Sequence, residues 1–216
     1  MGKVLDFINQ EKNTIGKVYV DISYAIDNIS PFLDKKTLDN RKYVNKLTSL
    51  KQYMDLLQQT EIDEKKDGVL GFINDNSRID KLKNFKYTNG ENITQLQKCS
   101  SCACLNCTAE CNFDSCLGCR KGSHIEKCDH KKINITLHDS YFLDLNNDNT
   151  NTVDHYKVLA TLQDEELDRK YIIIQNQHSN EEFVLYYYPG ISEDTYGEIT
   201  DDDEFDFINS TYENIK

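Results

Sequence analysis

Cys99-Ser-Ser-Cys102-Ala-Cys104-Leu-Asn-Cys107-Thr-Ala-Glu-Cys111-Asn-Phe-Asp-Ser-Cys116-Leu-Gly-Cys119-Arg-Lys-Gly-Ser-His124-Ile-Glu-Lys-Cys128-Asp-His130 holds all eight cysteines of the 216-residue chain and two of its five histidines. Its only large apolar side chains are Leu105, Phe113, Leu117 and Ile125, too few to order the stretch by burial. A cross-link must do that work. Three Cys-x-x-Cys pairs fall between Cys99 and Cys119. A two-residue gap lets one backbone turn aim two sulfurs at one ion, so the spacing points to tetrahedral zinc.

Ten candidate ligands suit two ions with two donors to spare. One expected site is Cys116, Cys119, His124 and Cys128, with the other drawing on Cys99, Cys102, Cys104, Cys107 and Cys111. A cross-braced arrangement also satisfies the spacing: Cys99 and Cys102 with Cys116 and Cys119, and Cys104 and Cys107 with Cys128 and His130. An iron–sulfur cluster could use the same cysteine pairs, but the interleaved histidines favour zinc. Four disulfides would need an oxidising compartment. Thiolate-rich shells with no open position are structural, and the chain has no His-Glu-x-x-His, no deaminase-type His-x-Glu with Pro-Cys-x-x-Cys, and no phosphate-binding glycine loop. A closed, non-catalytic metal module is therefore expected. His138, His155 and His178 lack ligand spacing and read as ordinary surface or strand residues.

Beyond the cysteines the pattern is that of strands. Ile133 to Leu137 and parts of Tyr156 to Leu162 alternate, while Tyr171 to Ile174 and Phe183 to Tyr188 are β-branched or aromatic runs. Turns are expected at 176–180 and at Pro189-Gly190. Asp201 to Glu204 then opens a short helix carrying Phe205, Ile208 and Tyr212, with its acidic residues at the positive end of the dipole. Before the cysteines the pattern is helical. Ile15, Val18, Ile22, Ile26 and Ile29 form one stripe, and Val44, Leu47, Leu50, Met54 and Leu57 form another. Thr37 is the expected N-cap of the second helix, and the two stripes predict a hairpin burying one against the other. Val69 to Ile73 reads as a short buried strand. Ser77 to Tyr87 reads as a helix carrying Arg78, Lys81, Lys83 and Lys86. The predicted class is α+β in three parts: a helical region at 1–98, a cysteine-rich zinc module at 99–132, and an acidic antiparallel β domain with a terminal helix at 133–216.

Charge follows the same division. Residues 1–98 carry 16 Lys and Arg against 14 Asp and Glu, and residues 99–132 carry 5 against 4. Residues 133–216 carry 4 against 19, so that part holds the whole negative excess of a chain with net charge −12. Such a surface repels nucleic acid and attracts a basic protein. The first ten residues lack the apolar run of a secretory leader, Asp6 stands where a myristoylation site needs Ser or Thr, and no window is apolar enough to span a bilayer. A cytoplasmic protein without membrane contact is expected.

Two resemblances add to this reading. Tyr156-Lys-Val-Leu159, Arg169 to Ile173, Glu182 to Tyr186 and Ile199 to Phe205 resemble a small acidic β-meander domain of low-GC bacteria. That resemblance implies the fold and no activity. Cys116-Leu-Gly-Cys119-Arg-Lys-Gly-Ser-His124-Ile-Glu-Lys-Cys128 resembles the CCHC zinc knuckle of retroviral nucleocapsid proteins. Its last interval is one residue shorter and Gly122 stands one place early. The resemblance implies Cys116, Cys119, His124 and Cys128 as ligands and Arg120, Lys121 and Lys127 as phosphate contacts, with no aromatic to stack on a base. The expected function is a non-enzymatic, zinc-binding interaction or regulatory protein whose acidic surface meets a basic partner. The alternatives are a single-stranded nucleic-acid binder using the knuckle and the Arg78–Lys86 helix, and a thiol redox or metal-handling protein.

Overall fold

The computed structural model describes residues 2–67, 75–109, 111, 113, 120–147 and 152–216. The chain is α+β, with helices first, then an antiparallel sheet and a last helix. Its contacts form two compact units, Met1–Ser101 and Cys102–Lys216. The boundary falls inside the cysteine stretch. Among the described residues, no helix is long and apolar enough to cross a membrane.

In the first unit, α1 (Lys3–Glu11), one wide π turn (Lys12–Gly16) and α2 (Lys17–Ile29) run on as a single helix. Val4, Ile8, Ile15, Ile22, Ala25 and Ile29 are buried along it at steps of three, four and seven, so the helix presents one continuous apolar stripe. The short α3 (Lys35–Asn40) follows. Its cap is Asp34 rather than Thr37: one Asp34 oxygen accepts from the Thr37 N–H at 2.9 Å and the other from the Thr37 hydroxyl at 2.7 Å. Asp34 wins because the cap side chain must reach the N–H three residues ahead.

α4 (Lys42–Asp67) touches every other helix of this unit. Its buried line runs through Tyr43, Leu50, Tyr53 and Leu57, with Val44, Leu47 and Met54 at its margins. Burying a tyrosine ring removes more surface than a valine does, and this draws the stripe toward Tyr43 and Tyr53. A Cβ at Gly16 would lie 3.2 Å from Met54 Cε, so the π turn and α4 pack closely. α5 (Asp75–Thr88) is the expected basic helix, and α6 (Gly90–Ser100), absent from the sequence reading, buries Ile93, Leu96 and Cys99. The strand expected at 69–73 lies outside the described residues.

Glu11 is buried at the end of α1. It accepts from Tyr53 Oη at 2.9 Å and from Lys86 Nζ at 2.9 and 3.0 Å. Burial, and then the Glu11 carboxylate, raise the Tyr53 phenol far above its ordinary range. Arg78 pairs with Glu64. Two of the four cations of the basic helix thus serve this unit's own carboxylates.

The second unit is a meander. β1 (Ser123–Cys128), β2 (Ile133–Asn147), β3 (Thr152–Asp164), β4 (Arg169–Asn176), β5 (Glu182–Tyr188) and β6 (Thr195–Glu198) pair antiparallel in sequence order. α7 (Asp202–Glu213) lays Ile208 and Tyr212 on the face formed by Ile133, Ile135, Ala160, Leu162, Tyr171 and Ile173. Val158, Ile172 and Ile174 form a second cluster with Tyr141, Leu143, Leu145, Tyr156, Leu185, Tyr187 and Tyr196. Alternate residues of a strand point to opposite faces, so an unbroken run such as Tyr171 to Ile174 is what a strand buried on both sides requires.

Asp201 caps α7 by accepting from the Glu204 N–H at 2.9 Å. Glu204 itself accepts from Tyr171 Oη at 2.5 Å, from Tyr186 Oη at 2.8 Å and from Arg169, clasping the helix to β4 and β5.

Candidate metal centre

Three of the described turns of this sheet share one device. Asp164 Oδ1 accepts from the N–H groups of Glu166 and Leu167 in the β3–β4 turn, and Asn176 Oδ1 from those of His178 and Ser179 in the β4–β5 turn. Each of these turns carries a left-handed residue, Asp168 (φ 49°) and Asn180 (φ 60°). The β1–β2 turn repeats the pattern more strongly. Asp129 Oδ1 accepts from the N–H groups of Lys131 (3.0 Å), Lys132 (2.7 Å) and Ile133 (3.0 Å). Burial works against charge on Asp129, yet these three donors hold its carboxyl below the usual carboxylate range. The left-handed residue here is His130, at φ 65°. Asp129 did not figure among the sequence candidates; its signal was an Asx residue opening a tight turn after a strand.

That turn sets the His130 ring against two thiols. Cys107 Sγ lies 3.5 Å from His130 Nδ1, and Cys128 Sγ lies 3.8 Å from the same nitrogen. Cys128 ends β1, while Cys107 comes from the loop before it. That loop is pinned to the free edge of β1 where the Ala103 N–H donates to the Ile125 carbonyl at 2.8 Å. Within it, Leu105 N–H donates to Cys102 O at 2.9 Å and Cys107 N–H to Cys104 O at 3.3 Å, two successive turns that hold the chain compact. Cys104 and Leu105 are buried there, and so is Phe113. Among the described residues no three or more His, Cys, Asp or Glu side chains already surround a common point that would hold an ion. The two thiol contacts converge on one ring nitrogen.

The other candidates fall elsewhere. Cys99 is in the last turn of α6, in the first unit, where Gln95 Nε2 donates to its sulfur at 3.7 Å. Cys111 Sγ donates to the Phe113 carbonyl at 3.8 Å. Cys116 and Cys119 lie outside the described residues.

His124 and Cys128, expected in one shell, are separated by the strand that carries both. A bulge between Ile125 and Lys127 changes the pairing, so His124 stands opposite Leu137 while Cys128 stands opposite Asn134. Opposed residues share a face, and Leu137 and Asn134 lie on opposite faces of β2, so the bulge sends the two ligands to different sides of the sheet. The His124 ring meets Glu126 instead, Nε2 to Oε2 at 2.9 Å. Arg120, an expected phosphate contact, lies over the Tyr141 ring at 4.1 Å and donates to Tyr187 Oη at 3.2 Å.

His138 is a buried residue of β2. It is 7% exposed, its Nε2 lies 2.9 Å from Thr161 Oγ1, and its Nδ1 is buried with no hydrogen-bond partner among the described residues. Burial first, and then the Arg120 charge, push it down to about 4. A buried imidazole held neutral packs like an aromatic ring, and its ring contacts Tyr141 edge-on.

No family model matches the chain, and neither a curated protein nor a solved structure matches it.

Proposed function

We propose that this protein is a non-enzymatic, metal-ordered interaction protein of the reducing cytoplasm, in which zinc fixes the cysteine loop onto an acidic β unit that receives a basic protein partner. The observation that carries the metal is the convergence of Cys107 and Cys128 on His130 Nδ1. Zinc bonds of about 2.3 Å to sulfur and about 2.0 Å to nitrogen, at tetrahedral angles, put such ligands about 3.5 Å apart. Soft thiols with an imidazole favour zinc over harder cations. The partner is inferred from charge. Asp201, Asp202, Asp203 and Asp206 are all exposed at the start of α7, within the segment that holds the chain's negative excess.

Metal analysis of the full chain purified under reducing conditions tests the first half, with zinc expected and a metal-free folded protein opposing it. Capture of a basic protein by the full chain tests the second. Capture should weaken as salt rises and fall in the triple charge-reversal variant D202K/D203K/D206K. Capture indifferent to both would refute the acidic contact surface.

A further inference from the structure

We infer that one metal ion is held by Cys104, Cys107, Cys128 and His130 through Nδ1, a three-sulfur, one-nitrogen shell that clips the cysteine loop to the β1–β2 hairpin. This inference rests on the proposed metal-ordered role and names the shell.

Three observations assign it. First, the two sulfur-to-nitrogen separations, 3.5 and 3.8 Å, match neighbouring vertices of a ligand tetrahedron. Second, His130 is fixed for this geometry. It occupies the left-handed region at φ 65°, where the comparable hairpins use Asp168 and Asn180, and three N–H bonds to Asp129 hold the turn. Coordination by Nδ1, the ring nitrogen nearer the backbone, suits a ligand two residues from Cys128. Third, among the described residues the backbone brings Cys104 beside Cys107. The Cys107 N–H to Cys104 O bond makes these two the ends of a four-residue turn, whose end Cα atoms lie within about 7 Å. Cys102 opens a different turn, and Cys111 donates to Phe113.

Metal binding at such a site needs no redox partner. Each thiol that coordinates loses its proton to solvent, and the metal–sulfur bond takes the place of the S–H bond. Three thiolates and a neutral imidazole leave a divalent ion with a net charge of −1 and no open position, so the site is structural.

The test is cobalt substitution of the full-length chain, with metal counted per chain and the visible spectrum recorded. Native protein should give a tetrahedral cobalt spectrum. The variants H130A and C104S should each bind one ion fewer per chain, or bind it at least tenfold more weakly. H130C, which can keep the fold by supplying a fourth sulfur, should retain the count and move the visible bands toward those of an all-sulfur site. H124A, on the other face of the sheet, should match the native protein. If H130A and H130C both keep the native count and spectrum, the shell is wrong while the metal-ordered role survives. If the native chain takes up no cobalt or zinc, both fail.

Discussion

His138 makes stability depend on pH in a window where few other side chains titrate. Free histidine takes up a proton near pH 6.5, whereas burial, reinforced by Arg120, pushes His138 down to about 4 in the folded chain. Between these values the unfolded chain holds a proton that the folded chain refuses, so stability rises with pH across the window and is lost on acidification. Integrating one such site gives a loss of roughly 2 kcal/mol between pH 7 and pH 5, and about 3 kcal/mol by pH 4. Other groups also take up protons as pH falls, so the comparison must be with a variant rather than with zero. In His138→Gln the amide can still bond to Thr161 Oγ1 and cannot titrate. Urea unfolding of both proteins at pH 7, 6 and 5 should show the native chain losing about 2 kcal/mol more than the variant. Equal losses in both, or an NMR titration placing His138 at 6 or above, would refute the reasoning.

Three further outcomes follow from the packing. Glu204→Gln removes the charge that accepts from Tyr171, Tyr186 and Arg169, and should cost about 2 kcal/mol by urea unfolding at pH 7. Burial works against the Glu204 charge, yet those three donors hold its carboxyl below the ordinary range. The clasp should therefore be complete above about pH 4.5 and fade as pH falls through the folded value, and a variant that melts like the native protein at pH 7 would show that α7 is held otherwise. Gly122 has φ 75°, and a Cβ there would come within 2.7 Å of Ser140 Oγ, so Gly122→Ala should cost about 1–2 kcal/mol in thermal denaturation. Ile15→Ala opens a cavity where the π turn meets α4 and should cost about 3 kcal/mol, measured by chemical denaturation.

Local periodicity made much of the fold legible. Ile15, Ile22 and Ile29 recur at a multiple of the helical turn, and Tyr171 to Ile174 form a short β-branched run, so each segment's geometry is set by its own residues and neighbours a few places away. α6 escaped because Ile93 and Leu96 are too few to declare a period; α4 supplies the rest of their burial. Thr37 misled as a cap because it and Asp34 both carry an oxygen of the right kind, and only the backbone path shows which oxygen meets which N–H.

The candidate metal donors divide along the same line. Chain spacing alone established that this stretch holds clustered soft donors, because Cys-x-x-Cys is a local constraint on one turn. Which donors meet was a tertiary outcome. A single extra residue in β1 puts His124 and Cys128 on opposite faces, and a turn closed by Asp129 carries His130 back to Cys128 and to Cys107, 23 residues earlier. Strand parity and hairpin closure depend on pairing between distant segments, and no count of intervals along the chain contains that.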